Sequence, residues 1–374
     1  MEKKNLELVT ALRHELHTHP ELSGQEVWTR KRLMDFLREH TKLEVVDRGN
    51  WFYAKYSSGS NRPGIAFRAD FDALPIDETI SLPYGSQFPG TAHKCGHDGH
   101  SATMCGFALE VDQKGADRDI YFIFQHAEEI GAGAVECAPV IDECGISEIY
   151  GYHNMANYPV GSVALRNGTM FCASTGMIIS FKGTSAHASL PENGHNPALA
   201  IADLIRLIPD LIKPGKNKGL VLCTVIQVDI GEQAFGVSAH EGKLLLTCRG
   251  QYEDEMNVLI DTLKAKSEEF AKRDGLKVSF SFCDTFPETA NDATAADKVR
   301  TVCSKLNIPV TEMPDPVRSS EDMGHFLKRA KGAFFLIGIG DRPPIHDEKY
   351  DFLDDIIEPA VTIYQAILKE AEIQ

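Results

Sequence analysis

The sequence predicts an α/β fold: a larger domain on a mostly parallel sheet with helices on both faces, and an inserted α+β domain. Three observations carry this. The run Ile120-Tyr121-Phe122-Ile123-Phe124 is short, continuous and rich in β-formers, as a strand buried on both faces should be. Strand and helix patterns alternate through the first part of the chain. Polar clusters sit directly after apolar strands, where such sheets carry their functional sites. At 374 residues the chain also exceeds what one core usually organises, so two domains are expected.

Taken in order, the N-terminal segment has helical spacing to about His17 and closes before Pro20. Ser23-Gly24-Gln25-Glu26 reads as a capping box for a helix with Val27, Leu33, Phe36 and Leu37 on its apolar side. Strands at 43–46, 51–56 and 64–68 precede a helix at 99–111, the strand at 120–124 and another at 148–152. The texture changes near Ser174. Strands at 177–182, 221–228, 243–249 and 277–283 then frame helices at 195–211 and 253–273. This pattern assigns 174–284 to an inserted domain, and 1–173 with 285–374 to the main one. A helix opened by Ser-Ser-Glu-Asp at 319–322, a strand at 333–337 and a helix from about Leu353 complete the main domain.

Composition narrows the function. Apolar residues make up 43% and charged residues 25%, ordinary for a soluble globular protein. A net charge of -16 argues against nucleic acid and anionic membrane as partners. No stretch has the apolar length of a membrane span, and the N-terminal segment lacks the apolar core of a signal peptide. Nine cysteines form no spaced framework, which points to a reducing cytoplasm and to cysteines used as small buried apolar residues.

The densest chemistry lies in His93-Lys94-Cys95-Gly96-His97-Asp98-Gly99-His100. Cys95 and His97, two apart in a turn, can aim thiolate and imidazole at one point, which suits zinc and related ions. His93 and His100 can be ligands, supporting groups or mere neighbours. Asp98 can orient an imidazole through its second nitrogen. Glu128 and Glu129 follow the buried strand directly, so one can bind metal while the other faces water. Asp70 and Asp72 leave the end of another strand, where they can hold a histidine or simply make a turn. His153, His187 and His346 are single histidines that spacing alone would not select.

Together the motifs HELHTHPELSGQE (14–26), FRADFDALPI (67–76), HKCGHDGH (93–100), QHAEE (125–129), GYHN (151–154), FKGTSAHASLP (181–191), SSEDM (319–323) and IHDEKYDF (345–352) resemble the dinuclear-metal amidohydrolase and carboxypeptidase family. That family includes aminoacylases, hippurate hydrolases and auxin-conjugate hydrolases. The resemblance implies two divalent metal ions per subunit (zinc, manganese, cobalt or nickel), held by Cys95, His97, Glu129, His153 and His346. Glu128 would be the general base for a metal-activated water. His187 would polarise the substrate carbonyl, donated by the inserted lid domain of the partner in a homodimer. Arg249 is a candidate for a substrate carboxylate. The implied substrate is an N-acyl amino acid or related small amide, with short peptides as the alternative. A catalytically silent binding homologue fits less well, because Glu128 and every ligand are present. The chain departs from the family at His126, where proline is usual, at Ala92 for methionine, and near Gly236, where an asparagine often helps to position substrate.

Overall fold

The computed structural model describes residues 1–372, which fold as two compact units. The first comprises Met1–Met170, Thr289–Pro316 and the chain from Asp322 onward. Among its described residues eight strands form one sheet. Their order is Glu44–Asp47, Phe52–Tyr56, Ile120–Gln125, Gly64–Asp70, Ile146–Met155, Lys331–Gly338, Val163–Leu165 and Val310–Glu312. The four central strands, Ile120–Gln125 to Lys331–Gly338, run parallel, while the two strands at one edge pair antiparallel. Every residue of Gly64–Asp70 and of Ile120–Gln125 is buried, as a sheet covered on both faces requires. Phe67 lies opposite Phe122, and Phe52 stacks on Phe124 at 4.5 Å. Burying each such ring contributes roughly 1.5–3 kcal/mol.

Three helices bear on the site: α1 (Lys3–Thr18), α2 (Val27–His40) and α3 (His97–Lys114). Helix α3 is buried from His97 through Val111 and starts two residues earlier than its apolar pattern predicts. The expected capping box before α2 does not form. Glu21 caps α2 instead, accepting from Trp28 N–H at 3.1 Å and Thr29 N–H at 2.8 Å. Ser23 and Glu26 are thereby released to reach the site. The helix expected after 319–322 is only the short turn Gly324–Leu327, and the last helix starts at Ile357 rather than Leu353.

The second unit, Phe171–Glu288 with Val317–Glu321, is α+β. The returning segment 317–321 was not separable from the main domain by sequence. Four antiparallel strands run in the order Lys277–Phe286, Ala173–Lys182, Glu241–Gly250 and Val221–Ile230. Met177, Ile179, Phe181, Leu244 and Leu246 alternate inward and pack with Leu204 and Leu263 of two helices, Ala198–Leu211 and Glu253–Asp274. Val221–Ile230 is an edge strand that leaves Val225, Ile226, Val228 and Ile230 exposed.

Candidate metal centre

Four chain segments of the first unit deliver the candidate donors. Cys95 and His97 flank Gly96, whose φ is +101°. A Cβ there would fall 2.4 Å from Asn154 Oδ1 and 2.6 Å from Tyr350 Oη, so the turn requires glycine twice over. Glu128 and Glu129 follow Ile120–Gln125 through a turn at Ala127, which holds φ +46°. That turn is tied by Ala127 N–H donating to Glu26 Oε1 at 2.8 Å and by Gly133 N–H donating to Ala127 O at 3.1 Å. His153 lies near the end of Ile146–Met155. His346 sits on a loop at φ +67°.

These side chains converge. Cys95 Sγ is 3.3 Å from His153 Nε2, His346 Nε2 is 3.4 Å from Glu129 Oε2, and His97 Nε2 is 3.7 Å from Glu129 Oε1. Two donor triplets result, Cys95–His97–His153 and Cys95–Glu129–His346, each with its ligand atoms within 4.8 Å of one another. Cys95 belongs to both. Glu128 joins His97 and Glu129 in a further cluster, with its Oε2 4.0 Å from His97 Nε2.

Second contacts orient the rings. Asp72 Oδ1 lies 3.0 Å from His97 Nδ1, leaving Nε2 to face the cluster. Asp72 also accepts from Ser23 Oγ at 2.7 Å and from Glu129 N–H at 3.0 Å. His153 Nδ1 is 2.8 Å from the Asn154 carbonyl. Asp70 holds His100 at 2.6 Å, and His100 Nε2 is 2.7 Å from Asn154 Oδ1. Asp98 orients an imidazole outside the cluster. Its carboxylate pairs with His17 Nδ1 at 2.8 Å and Arg13 Nε at 3.1 Å. His93 is buried and stands outside the donor triplets, with neither ring nitrogen partnered among the described residues.

The donor chemistry fits divalent cations. His97 Nε2 and Glu129 Oε1 are buried and have no hydrogen-bond partner among the described residues. Burial, then the carboxylates of Glu129, Glu128 and Asp70, push the Cys95 thiol well above its ordinary value. A thiolate surrounded by carboxylates calls for a cation. Burial lowers His97, but Asp70, Asp72 and Glu129 outweigh it and carry the ring up to about 10. His153 moves the other way: burial, then the neighbouring His100, keep it neutral, the form that binds metal.

His187 and Arg249 belong to the second unit. His187 is exposed, with Nδ1 2.7 Å from Ser189 Oγ and an isolated bridge to Val237. Arg249 is half-buried and donates to Arg318 O and to Ser320 Oγ, each at 2.6 Å. Burial lowers its pKa, and no carboxylate among the described residues pairs with it. A cavity of about 500 Å³ is lined by Gly231, Glu232, Ala234 and Val237, the segment that includes Gly236.

A model of peptidase family M20/M25/M40 matches residues 66–370. The chain belongs to this family. N-acetylcysteine deacetylase of Bacillus subtilis (strain 168) is 28% identical, covering 93% of each chain. N-acetyldiaminopimelate deacetylase of Exiguobacterium sibiricum is 29% identical over 90% of this chain and 91% of its own. The solved structure of the Bacillus subtilis YXEP protein, described as a dinuclear metal binding peptidase from the M20 family, superposes with a TM-score of 0.84 at 25% identity, covering 99% of both chains. This M20-family chain is a metal-dependent hydrolase of amide bonds.

Residues outside the sequence motifs' obvious chemistry complete the centre. Asn154 links His100 to Tyr350 Oη, donating to the latter at 2.7 Å. Arg68 bridges Asp70 and Asp322 at 2.7 Å each. An arginine between Phe67 and Ala69 in an apolar strand was the available signal.

Proposed function

We propose that the chain deacylates an N-acyl amino acid, with an N-acetyl amino acid as the preferred class. The observation carrying the hydrolysis is the pair of donor triplets that share Cys95, with the Glu128 carboxylate at their rim, and the likeness to N-acetylcysteine and N-acetyldiaminopimelate deacetylases supports the N-acetyl class. Cys95, His97, Glu129, His153 and His346 would hold two ions, and zinc, manganese, cobalt and nickel all suit these ligands. Bound ions would lower the pKa of a water and polarise the carbonyl.

The chain's own residues do the rest. Glu128 Oε1 lies 3.4 Å from Asp322 N–H, leaving Oε2 toward the cluster. Glu128 takes the proton from water as its oxygen adds to the scissile carbonyl, then returns that proton to the leaving amine nitrogen. His187 hydrogen-bonds the developing oxyanion. It acts from the lid of a partner subunit, so the active form is a homodimer. Support for that dimer comes from the edge strand Val221–Ile230, whose unpaired backbone and exposed Val225, Ile226 and Val228 suit a second chain. Arg249, with no carboxylate partner among the described residues, is suited to a substrate carboxylate. The nine free cysteines support a cytoplasmic setting, and no described helix is long and apolar enough to cross a membrane.

The test is a hydrolysis screen of metal-reconstituted protein on N-acetylcysteine, N-acetyldiaminopimelate, N-benzoyl amino acids and dipeptides. N-acetyl substrates should exceed dipeptides in kcat/KM by about tenfold or more. A preference for dipeptides would replace this reading with a peptidase.

A further inference from the structure

The candidate ligands differ in how they are held. His97 and His153 are buried, and each has its second ring nitrogen on a carboxylate or carbonyl. The His346 side chain is 49% exposed. No group among the described residues holds its Nδ1, and its backbone sits in the left-handed region that non-glycine residues disfavour. Something other than ring contacts must fix it.

Lys94 meets that need. Its carbonyl accepts from His346 N–H at 2.6 Å, and its ammonium donates to the buried Tyr350 carbonyl at 2.8 Å. One residue thus grips the His346 loop at two points, four residues apart. The Lys94 side chain is fully buried, and Glu78 Oε1 lies 2.6 Å from its Nζ. Glu78 is in turn 2.8 Å from His17 Nε2, and His17 rests on Asp98. The neighbouring Thr79 N–H donates to Glu348 O at 3.2 Å, on the same loop. A buried lysine is costly unless paired, so its presence beside Cys95 calls for a role.

We propose that Lys94 is a positioning residue that pre-sets His346, completing the Cys95–Glu129–His346 triplet before an ion arrives. The Glu78–His17–Asp98–Arg13 chain anchors Lys94 from behind. Its effect falls on one of two ion-binding steps, because Cys95–His97–His153 does not use the loop. This rests on the ligand reading above.

The experiment titrates the metal-stripped protein with cobalt(II). Visible absorption, including the thiolate charge-transfer band, and elemental analysis follow the two steps. Wild type is compared with Lys94→Met, His346→Ala and the double variant. Lys94→Met should weaken one step by about tenfold or more and leave the other within about twofold. The double variant should bind like His346→Ala alone, because Lys94 acts through His346. If Lys94→Met unfolds, Lys94→Met/Glu78→Gln, which leaves no unpaired buried charge, carries the same prediction. Equal weakening of both steps, no weakening, or additivity with His346→Ala overturns the proposal. If His346→Ala itself leaves both steps intact, the ligand assignment is wrong and the proposal falls with it. If His346→Ala loses a step that Lys94→Met keeps, the proposal alone fails.

Discussion

The two units spend their polar residues differently. In the first, titratable groups are buried at the carboxyl ends of parallel strands and bound in networks: Asp70 with Arg68 and His100, Asp72 with His97 and Ser23. In the second, the antiparallel sheet has an apolar inner face and an edge strand exposed along most of its length, and its candidate chemistry is one exposed histidine and one half-buried arginine. A site that must hold charge in place needs a rigid, covered sheet. An accessible edge strand with few fixed charges beside it is suited to pairing with another chain. The first unit therefore should carry the metal and the base, and the second should tune carbonyl polarisation and substrate choice.

Substitutions in each unit separate these roles. Glu128→Gln should lower kcat by about 10²–10⁴ while metal content stays at the wild-type level. Elemental analysis beside steady-state rates checks this, and near-normal turnover would remove Glu128 as base. His187→Ala should lower kcat by about 10²–10³ with metal content unchanged. Mixed with Glu128→Gln subunits it should regain activity. Proven heterodimers that stay inactive would return His187 to its own subunit. Arg249→Met should act on substrate choice, raising KM by about tenfold for a substrate with a free carboxylate. A matched amide-capped substrate should show no such change, and an equal effect on both would make Arg249 a packing residue.

The smallest effect concerns the support beneath the centre. Burial, then the charge of Asp72, lifts the Glu26 carboxyl from its ordinary 4.5 to about 7, against the Ala127 N–H that favours its ionised form. A raised acid holds its proton longer in the folded state than in the unfolded one. Its contribution is full below about pH 4.5 and is lost as pH rises toward 7. Glu26→Gln should therefore gain on wild type in Tm as pH is raised from the acid to the neutral side of this window. Parallel Tm curves would show that Glu26 ionises normally in the fold.

Much of this was legible in the sequence, for identifiable reasons. Periodicity exposed the buried strand at Ile120 and the α+β character of the inserted unit, because burial on two faces or one leaves distinct patterns. Cys95 and His97 are visible because their chemistry is concentrated in one turn. His153 and His346 are not, since partners far along the chain bring them to Cys95, and the family resemblance had to supply them. Local rules misled at one place and left another open. Ser23 and Glu26 look like a cap but reach Asp72 and Ala127. Asp98, which can orient an imidazole, does so for His17 beside Arg13 on α1 and not for a ring of the cluster. In both, a tertiary partner outcompeted the local one. Short strands such as Val163–Leu165 and Val310–Glu312 carry too few residues for a period to show.

Cys95 stands in both donor triplets, so it would be a ligand common to the two ions proposed above. The most direct measurement is the metal stoichiometry of Cys95→Ser after reconstitution with excess zinc and removal of loosely bound ion. Because Cys95 belongs to both donor triplets, the account predicts that both ions are lost or weakened together. Retention of two tightly bound ions per chain would contradict it.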